Sequence, residues 1–266
     1  MLVIFGYLGA ILIGLTLGLI GSGGSILTVP ILVYLMGIDP VPATAYSLFI
    51  VGLTSLIGSF TYMKRKLISY VTAVVFAAPA LVTVFMTRKF IIPALPEHIA
   101  TIAGFNLTRD IFIMALFAVL MIGASLSMIK DKRTENENRE ISYNYTMVLL
   151  EGVVVGLLAG LVGAGGGFLI IPALVLLVGL PMKKAVGTSL LIIAVNSLIG
   201  FTGDIGTNVN VDWMFLSSFS LLAIAGIFIG SYLTKFIKGT KLKPAFGYFV
   251  LMMGVYILGK EIFMRF

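Results

Sequence analysis

The 266-residue chain has no cysteine, a single histidine and little charge, with only 11% of its residues Asp, Glu, Lys or Arg. Without cysteine it can form no disulfide, thiolate metal site or Cys nucleophile. The one histidine, His98, provides neither a metal-binding cluster nor a catalytic pair within an apolar span. A nucleotide-binding phosphate loop is also absent, which excludes ATP-driven pumping by this chain. The sequence therefore predicts no enzyme activity, no cofactor and no metal.

Hydrophobic residues dominate instead. They make up 59% of the chain, and the mean hydropathy of +1.13 is outside the range of soluble domains. Several apolar stretches are long enough to cross a bilayer, and they lack the strict alternation of barrel strands. The first stretch has no basic start or small-residue cleavage site, so we interpret it as retained structure. These features predict an all-α polytopic membrane protein.

The net charge of +7 does not indicate nucleic acid, because Lys and Arg lie in short clusters between apolar spans. The longest polar stretch, 130–145, mixes both signs and has the composition of a solvated loop. We therefore expect one integral membrane domain in three parts. These are a first transmembrane repeat (1–130), a cytoplasmic linker loop (131–146) and a second transmembrane repeat (147–266).

The repeat is visible in a glycine cluster that occurs twice. The sequence GSGGS at 21–25 returns 142 positions later as GAGGG at 163–167, and 21 of the 45 residues in 14–58 recur at this offset. A duplicated, helix-breaking glycine cluster inside apolar segments is typical of transporters built from two internal repeats.

The segments that contain the clusters are too long for one crossing. Residues 147–178 as a single helix would measure about 48 Å, against a hydrocarbon core of about 30 Å. If each cluster is the tip of a hairpin, the 18 Lys and Arg divide 13 to 5 between the two sides, whereas single crossings divide them nine to nine. The five on the outer side are Arg88, Lys89, Arg109, Lys260 and Arg265. The positive-inside rule favours the hairpins, with both termini outside. The prediction is two inverted-topology repeats, each a glycine-broken helical hairpin plus four transmembrane helices.

The clusters are the first candidates for substrate contact. Glycine permits positive φ, so each cluster can end one helix and begin another, whose first N–H groups carry partial positive charge. Inverted repeats bring two such ends together near the midplane, which favours an anion. The alternative is close helix packing, which we favour for Gly14, Gly18, Gly156 and Gly160. The candidate residues are Gly21, Ser22, Gly23, Gly24, Ser25, Gly163, Ala164, Gly165, Gly166 and Gly167.

The next apolar span adds polar side chains on one helical face. These are Ser47, Thr54 and Ser55 in the first copy and Thr188, Ser189, Asn196 and Ser197 in the second. Their hydroxyl and amide donors suit an oxyanion, although such side chains also bond to the carbonyls of their own helix. Glu151, an acid inside an apolar span, is a candidate for coupling transport to protons, or it reaches the membrane interface.

Two sets of motifs carry a resemblance to a known family. GLIGSGGSILTVPIL with the downstream TAYSL, and GLVGAGGGFLIIPALVLLVG with the downstream AVGTSL, resemble the sulfite exporter TauE/SafE family, also called toluene sulfonate uptake permeases. The resemblance covers both repeats. It implies a carrier of small organosulfur anions, such as sulfite or sulfonates, in the bacterial inner membrane. Ser22 and Ser25 stand where the second copy has Ala164 and Gly167, so the two copies cannot contribute equally.

We therefore expect a secondary transporter, a permease or exporter, for a small anion such as sulfite or an organosulfonate. The anion is held at the midplane between the paired glycine breaks, with a proton or sodium ion as the coupling ion. Its expected partners are this anion and the lipid bilayer; no nucleic acid is expected, and a homodimer is left open. The alternatives are a passive anion channel and a membrane-embedded assembly factor without transport activity.

Overall fold

The computed structural model describes residues 2–102, 105–130, 145–163, 165–176, 178–205, 211–234, 236 and 239–263. This part of the chain is almost entirely helical, which confirms the all-α prediction. Residues 131–144 of the predicted linker loop lie outside the described residues, as does Ala164.

The first copy begins with α1 and a helical return arm and continues with long helices. Its elements are α1 (Leu2–Ile20), a 3₁₀ helix (Gly21–Leu27), α2 (Thr28–Pro30), a π-helical turn (Ile31–Leu35), α3 (Pro40–Lys64), α4 (Tyr70–Met86), a second π-helical turn (Thr87–Ile91), α5 (Ile92–Ala94), β1 (His98–Ile102), β2 (Phe105–Thr108) and α6 (Arg109–Lys130).

The second copy repeats this order. Its elements are α7 (Tyr145–Val162), α8 (Gly167–Leu176), α9 (Met182–Asp204), α10 (Trp213–Leu233) and α11 (Gly239–Phe263). Asp212 caps α10, because its carboxylate accepts a hydrogen bond of 3.0 Å from the Phe215 N–H. Pro40 fits the start of α3, where a missing N–H costs nothing.

The prediction of four further helices in each copy is wrong. Within the described ranges, three long helical segments follow each hairpin: α3, α4 with α5, and α6 in the first copy, and α9, α10 and α11 in the second. The physical reason is that each copy has only three further apolar stretches, and one helix fills each. Five of these helices are long and apolar enough to cross a membrane: Pro40–Lys64, Tyr70–Ala94, Arg109–Leu126, Met182–Asp204 and Trp213–Leu233.

The chain turns back on itself at both glycine clusters. In the first copy, a Cβ added to Gly24 would meet the backbone of Leu17, and one added to Gly9 would meet Ile31. Residues further along the return arm therefore contact residues nearer the start of α1, so the two segments are antiparallel. In the second copy, a Cβ on Gly166 would lie 2.7 Å from the Ala159 Cβ, so α8 begins against the end of α7.

The equivalent helices α3 and α9 pack against each other in opposite directions. The rings of Phe49 and Phe201 have centroids 5.1 Å apart, and a Cβ on Gly58 would lie 3.7 Å from Leu190. The residue numbers rise along α3 as they fall along α9, so the two helices are antiparallel. α3 is the first long helix after the glycine cluster of the first copy, and α9 has the same position in the second copy.

Small residues join the two copies at their other contacts, as predicted for the glycines outside the clusters. A Cβ on Gly14 would lie 2.7 Å from the Ala223 carbonyl carbon, so α1 and α10 touch backbone to backbone. A Cβ on Gly156 would lie 2.5 Å from the Ala80 carbonyl oxygen, which places α7 equally close to α4. Exchanging the two copies turns the α1–α10 contact into the α7–α4 contact.

Sequence reasoning missed one element of β structure. Strands β1 and β2 pair antiparallel between α5 and α6, with His98 opposite Thr108 and Ile102 opposite Phe105. His98 is exposed in this short hairpin.

Candidate functional site

Four buried polar side chains meet where α3 crosses α9. Thr54 and Ser55 are the counterparts of Asn196 and Ser197 at the offset of 142 residues, so an antiparallel crossing near its centre brings them to the same level. None of the four is more than 2% exposed. The crossing therefore holds polar groups deep inside apolar helices.

One polar atom of each of these four residues has no hydrogen-bond partner among the described residues. The atoms are Thr54 Oγ1, Ser55 Oγ, Asn196 Oδ1 and Ser197 Oγ. An unsatisfied buried polar group costs about 1–3 kcal/mol, and native proteins contain few of them. Four such groups lie at one level of this crossing, which makes it the candidate site.

The second glycine cluster lies against this crossing. A Cβ added to Gly165 would collide with Ser197 Oγ and would lie 3.1 Å from Ile193 Cγ2. A Cβ on Gly163 would meet Thr44, near the start of α3. The absence of side chains at both positions thus lets the backbone of the cluster approach α3 and α9 directly.

The first cluster lies against α9 in the matching way. A Cβ on Gly21 would lie 2.8 Å from Val186 Cγ1, and Val186 is the counterpart of Thr44. The 3₁₀ helix that contains this cluster also contacts α8, the helix that begins at Gly167 of the second cluster. Ser25 is fully buried in this 3₁₀ helix. The side chain of Ser22 lies outside the described residues.

The two clusters differ in backbone conformation. In the second, Gly163, Gly165 and Gly166 have φ of +73°, +64° and +66°, a left-handed conformation that glycine adopts without strain. In the first, Gly21 has φ of +72°, but Gly24 lies within the 3₁₀ helix without a positive φ. In the second cluster, left-handed glycines separate α7 from α8, whereas in the first α1 is followed directly by a 3₁₀ helix.

Other predicted site residues divide into free and engaged groups. Ser47 is fully buried, and its Oγ has no partner among the described residues, which also holds for Thr28, a residue that sequence reasoning did not single out. Ser189 Oγ instead donates to the Val186 carbonyl at 2.8 Å. Thr188 Oγ1 donates to the Lys184 carbonyl at 2.7 Å and accepts a bond of 2.9 Å from the backbone N–H of Ser69.

A buried ion pair beside the second cluster was also missed. Arg88 was counted among the cations of the outer side, but the structure buries it completely in the π-helical turn after α4. Its Nε donates to Asp204 Oδ2 at 2.9 Å, and its Nη1 donates to Thr44 Oγ1 at 3.0 Å and to the Gly160 carbonyl at 3.3 Å. In the sequence, Arg88 and Asp204 both stand at the edge of apolar stretches. Contact with solvent was the simpler prediction for residues in such positions.

In the first copy, the equivalent carbonyl accepts its hydrogen bond from a neutral group. Tyr62, the counterpart of Asp204, donates its hydroxyl to the Gly18 carbonyl at 2.8 Å, and Gly18 is the counterpart of Gly160. The counterpart of Arg88 is Gly230, which packs against α1. Among the described residues, a buried ion pair at this level is therefore found only beside the second glycine cluster; beside the first, half-buried Arg65 lies 5.8 Å from the Tyr62 ring centroid and donates to the Ser231 carbonyl at 3.1 Å.

Glu151 is not brought to the glycine clusters. It is half-buried in α7, twelve residues before Gly163, which corresponds to about 18 Å along a helix. Its Oε2 has no hydrogen-bond partner among the described residues.

A separate pocket of about 330 Å³ opens at the surface between the first return arm and α11. There the Tyr34 hydroxyl donates to Glu261 Oε1 at 3.0 Å, and Lys260 Nζ lies 3.8 Å from the Tyr34 ring centroid. Asp39 also lines the pocket, so it holds two carboxylates and one lysine, a lining that does not favour an anion. Across the described ranges, no group of three His, Asp or Glu is placed to hold a metal ion.

Comparison with known proteins identifies the family. The family model described as "Sulfite exporter TauE/SafE" matches residues 6–257. A "Probable membrane transporter protein" of Xylella fastidiosa (strain 9a5c) is 27% identical over 256 residues, which are 94% of this chain and 92% of the relative. The "Probable membrane transporter protein YunE" of Bacillus subtilis (strain 168) is 28% identical over 84% of this chain and 85% of its own.

A further relative is a probable membrane transporter protein of Methanocaldococcus jannaschii, 25% identical over 93% of this chain and 94% of its own. No solved structure matches the chain. With the long apolar helices, these findings identify a multi-pass membrane transporter, and none of the relatives is named as an enzyme.

Proposed function

The chain belongs to the sulfite exporter TauE/SafE family, and from this premise we propose that it is a secondary transporter for a small oxyanion, sulfite or an organosulfonate. The substrate is bound where α3 crosses α9, between the two glycine breaks. The observation that carries the proposal is the set of four buried, unpartnered polar atoms at this crossing.

The chemistry of these groups suits an oxyanion. Ser and Thr hydroxyls donate one hydrogen bond each, and an amide presents either its oxygen or its NH₂ group after a flip. Glycine backbone next to Ser197 adds N–H groups, and α8 begins directly after the turn, with the partial positive charge of a helix N-terminus. An anion bound here therefore gains the hydroxyls of Thr54, Ser55 and Ser197, which have no hydrogen-bond partner among the described residues.

Inverted repeats explain how both breaks reach one place. The antiparallel packing of the equivalent helices α3 and α9 supports this topology. A two-fold axis that relates two antiparallel membrane-spanning helices lies in the plane of the membrane, as it does between inverted repeats. Cysteines introduced in this Cys-free chain test it: Lys66→Cys and Ile205→Cys follow the equivalent helices α3 and α9. They should react with an impermeant maleimide from opposite sides; labelling from the same side would contradict the inversion.

Coupling to protons is proposed to involve Glu151. Because this residue lies about 18 Å from the second break along the helix, it would act through the position of α7 and not by touching the substrate. A proton or sodium gradient would then drive the change between two hairpin positions.

Currents on a solid-supported membrane test the function. The reconstituted protein is exposed to concentration jumps of sulfite, sulfoacetate, sulfate, chloride and acetate, with and without a proton or sodium gradient. Saturable, gradient-dependent currents for sulfur oxyanions are expected. Large, non-saturating currents without coupling would indicate the channel, and silence both here and in labelled uptake would favour the assembly factor.

A further inference from the structure

We propose that Arg88 forms a second, outer anion subsite, in which the substrate's negative charge takes over the guanidinium from Asp204. This inference rests on the proposed function and adds a cation that the donors at the α3–α9 crossing do not include. The first observation is that the fully buried Arg88 side chain has a hydrogen-bond donor without an acceptor among the described residues.

The guanidinium of Arg88 is only partly satisfied. Its Nε and Nη1 bind Asp204, Thr44 and the Gly160 carbonyl, whereas Nη2 is buried without a hydrogen-bond partner among the described residues. An arginine fork binds two oxygens of one anion side by side, so a sulfur oxyanion matches Nε and Nη2 better than a single carboxylate oxygen on Nε. A buried donor without a partner is costly, so an anion oxygen placed on Nη2 would be stabilised.

The local backbone also departs from regular helix at this residue. Arg88 lies in the π-helical turn Thr87–Ile91, although α4 continues into α5 on either side of it. Such turns are rare and occur frequently at functional sites, because they turn one side chain out of the helical register. Gly203 makes room for Arg88 on the facing helix, where a Cβ would lie 3.0 Å from the Arg88 Cβ.

A row of polar side chains connects Arg88 with the crossing. Thr44, which accepts a bond from Arg88, is followed at helical spacing by Ser47 and then by Thr54 and Ser55, all fully buried. The Oγ atoms of the last three have no partner among the described residues. Ten residues of α3 separate Thr44 from Thr54, about 15 Å. The Thr44 hydroxyl donates to the Val41 carbonyl at 2.7 Å, so on this face of α3 Ser47 is the donor available to an anion between Arg88 and the crossing.

A fully buried cation lies at one end of this row only, because the nearest cation at the other end, Arg65 beside Tyr62, is half-buried. The counterparts of Arg88 and Asp204 in the first copy are Gly230 and Tyr62, so the inner end has no buried ion pair of this kind. By the distribution of Lys and Arg, Arg88 lies on the outer side of the crossing. The subsite would therefore receive or release the anion at the outer face.

The test compares sulfite transport by the wild-type protein with Arg88→Gln/Asp204→Asn, which removes both charges together. Removing one partner alone leaves an uncompensated buried charge, whereas the double change avoids it. A rise in KM for outside sulfite of at least tenfold is expected, with insertion and monodispersity retained.

The matched control is Lys89→Gln, which removes the adjacent exposed lysine and should change KM less than twofold. Ser47→Ala, which removes a hydroxyl without a partner, should raise KM about threefold and keeps the test open if the double variant does not fold. Unchanged KM in the folded double variant, or in Ser47→Ala when the double variant is unfolded, overturns the subsite while the proposed function stands. Absence of transport by the wild-type protein overturns both.

Discussion

The two glycine breaks have nearly the same sequence and different structures. Both begin with a left-handed glycine, Gly21 or Gly163, at the end of a helix. After it, the first break winds into a 3₁₀ helix, whereas Gly165 and Gly166 in the second continue in the left-handed conformation before α8 begins. Internal duplication has preserved the position of the breaks but not the path of the backbone through them.

Their surroundings differ in the same direction. The carbonyl of Gly18 in the first copy accepts a hydrogen bond from neutral Tyr62, and that of Gly160 in the second accepts one from the buried cation Arg88. Gly165 of the second break lies directly against Ser197. If the proposed function holds, we expect the second break to contact the substrate more closely than the first.

The largest effect is expected at the left-handed glycines of the second break. Gly166→Val should reduce sulfite transport at least 100-fold, because a left-handed β-branched residue is strained and its Cβ would lie 2.7 Å from the Ala159 Cβ. Uptake into proteoliposomes measures this, with insertion checked by membrane fractionation. Gly123→Ala is the control, since a Cβ there meets nothing within 4 Å. Normal transport by the valine variant would return the cluster to helix packing.

Much of this comparison was accessible from the sequence. The offset of 142 residues located both breaks, and the charge count placed hairpins there, because repeats and Lys/Arg positions are properties of the chain alone. The polar residues at 54, 55, 196 and 197 could also be found, since helical spacing puts them on one face. The conformation of Gly24 could not, because glycine permits left-handed and right-handed φ alike.

The ion pair of Arg88 and Asp204 was beyond sequence reasoning for a different reason. The two residues are 116 positions apart and occupy the ends of apolar stretches, where water is as good a partner as another side chain. Only the packing of α4 against α9 excludes that water. The count of helices failed more simply, because one helix fills each apolar stretch and each copy has three beyond its hairpin.

A smaller effect is expected at the crossing itself, where the two copies supply equivalent serines. Ser197→Ala should raise the KM for sulfite about tenfold and Ser55→Ala about threefold, because Gly165 brings its backbone against Ser197. Ser125→Ala is the control, since this buried hydroxyl donates to the Ile122 carbonyl of its own helix at 2.7 Å. Equal effects of the two site variants would mean that the substrate lies midway between the copies.

The carboxylate of Glu151 also belongs to the second copy only, since its counterpart is Gly9. Glu151→Gln should abolish the stimulation of uptake by a proton gradient, a change of about threefold or less, and leave the KM for sulfite unaltered, because Gln cannot carry the proton. Uptake with and without an imposed pH gradient measures this effect. The exposed Glu97→Gln is the control. Stimulation that survives in Glu151→Gln would assign coupling to another group or ion.

The smallest effect on transport is expected at Tyr62, where the first copy has a neutral hydroxyl in place of the carboxylate of Asp204. Tyr62→Phe leaves the Gly18 carbonyl without its 2.8 Å donor and should destabilise the protein by about 1 kcal/mol. It should lower the melting temperature in detergent relative to Tyr248→Phe, which alters an exposed tyrosine on α11, and change the KM for sulfite less than twofold. The reason is that the Tyr62 hydroxyl is neutral and its proton is already donated to the Gly18 carbonyl. It holds α1 against α3 and has no donor left for an anion. If Tyr62→Phe instead raised KM as much as Arg88→Gln/Asp204→Asn, the inner end would hold substrate as well, and the two breaks would be functionally equal despite their different backbones.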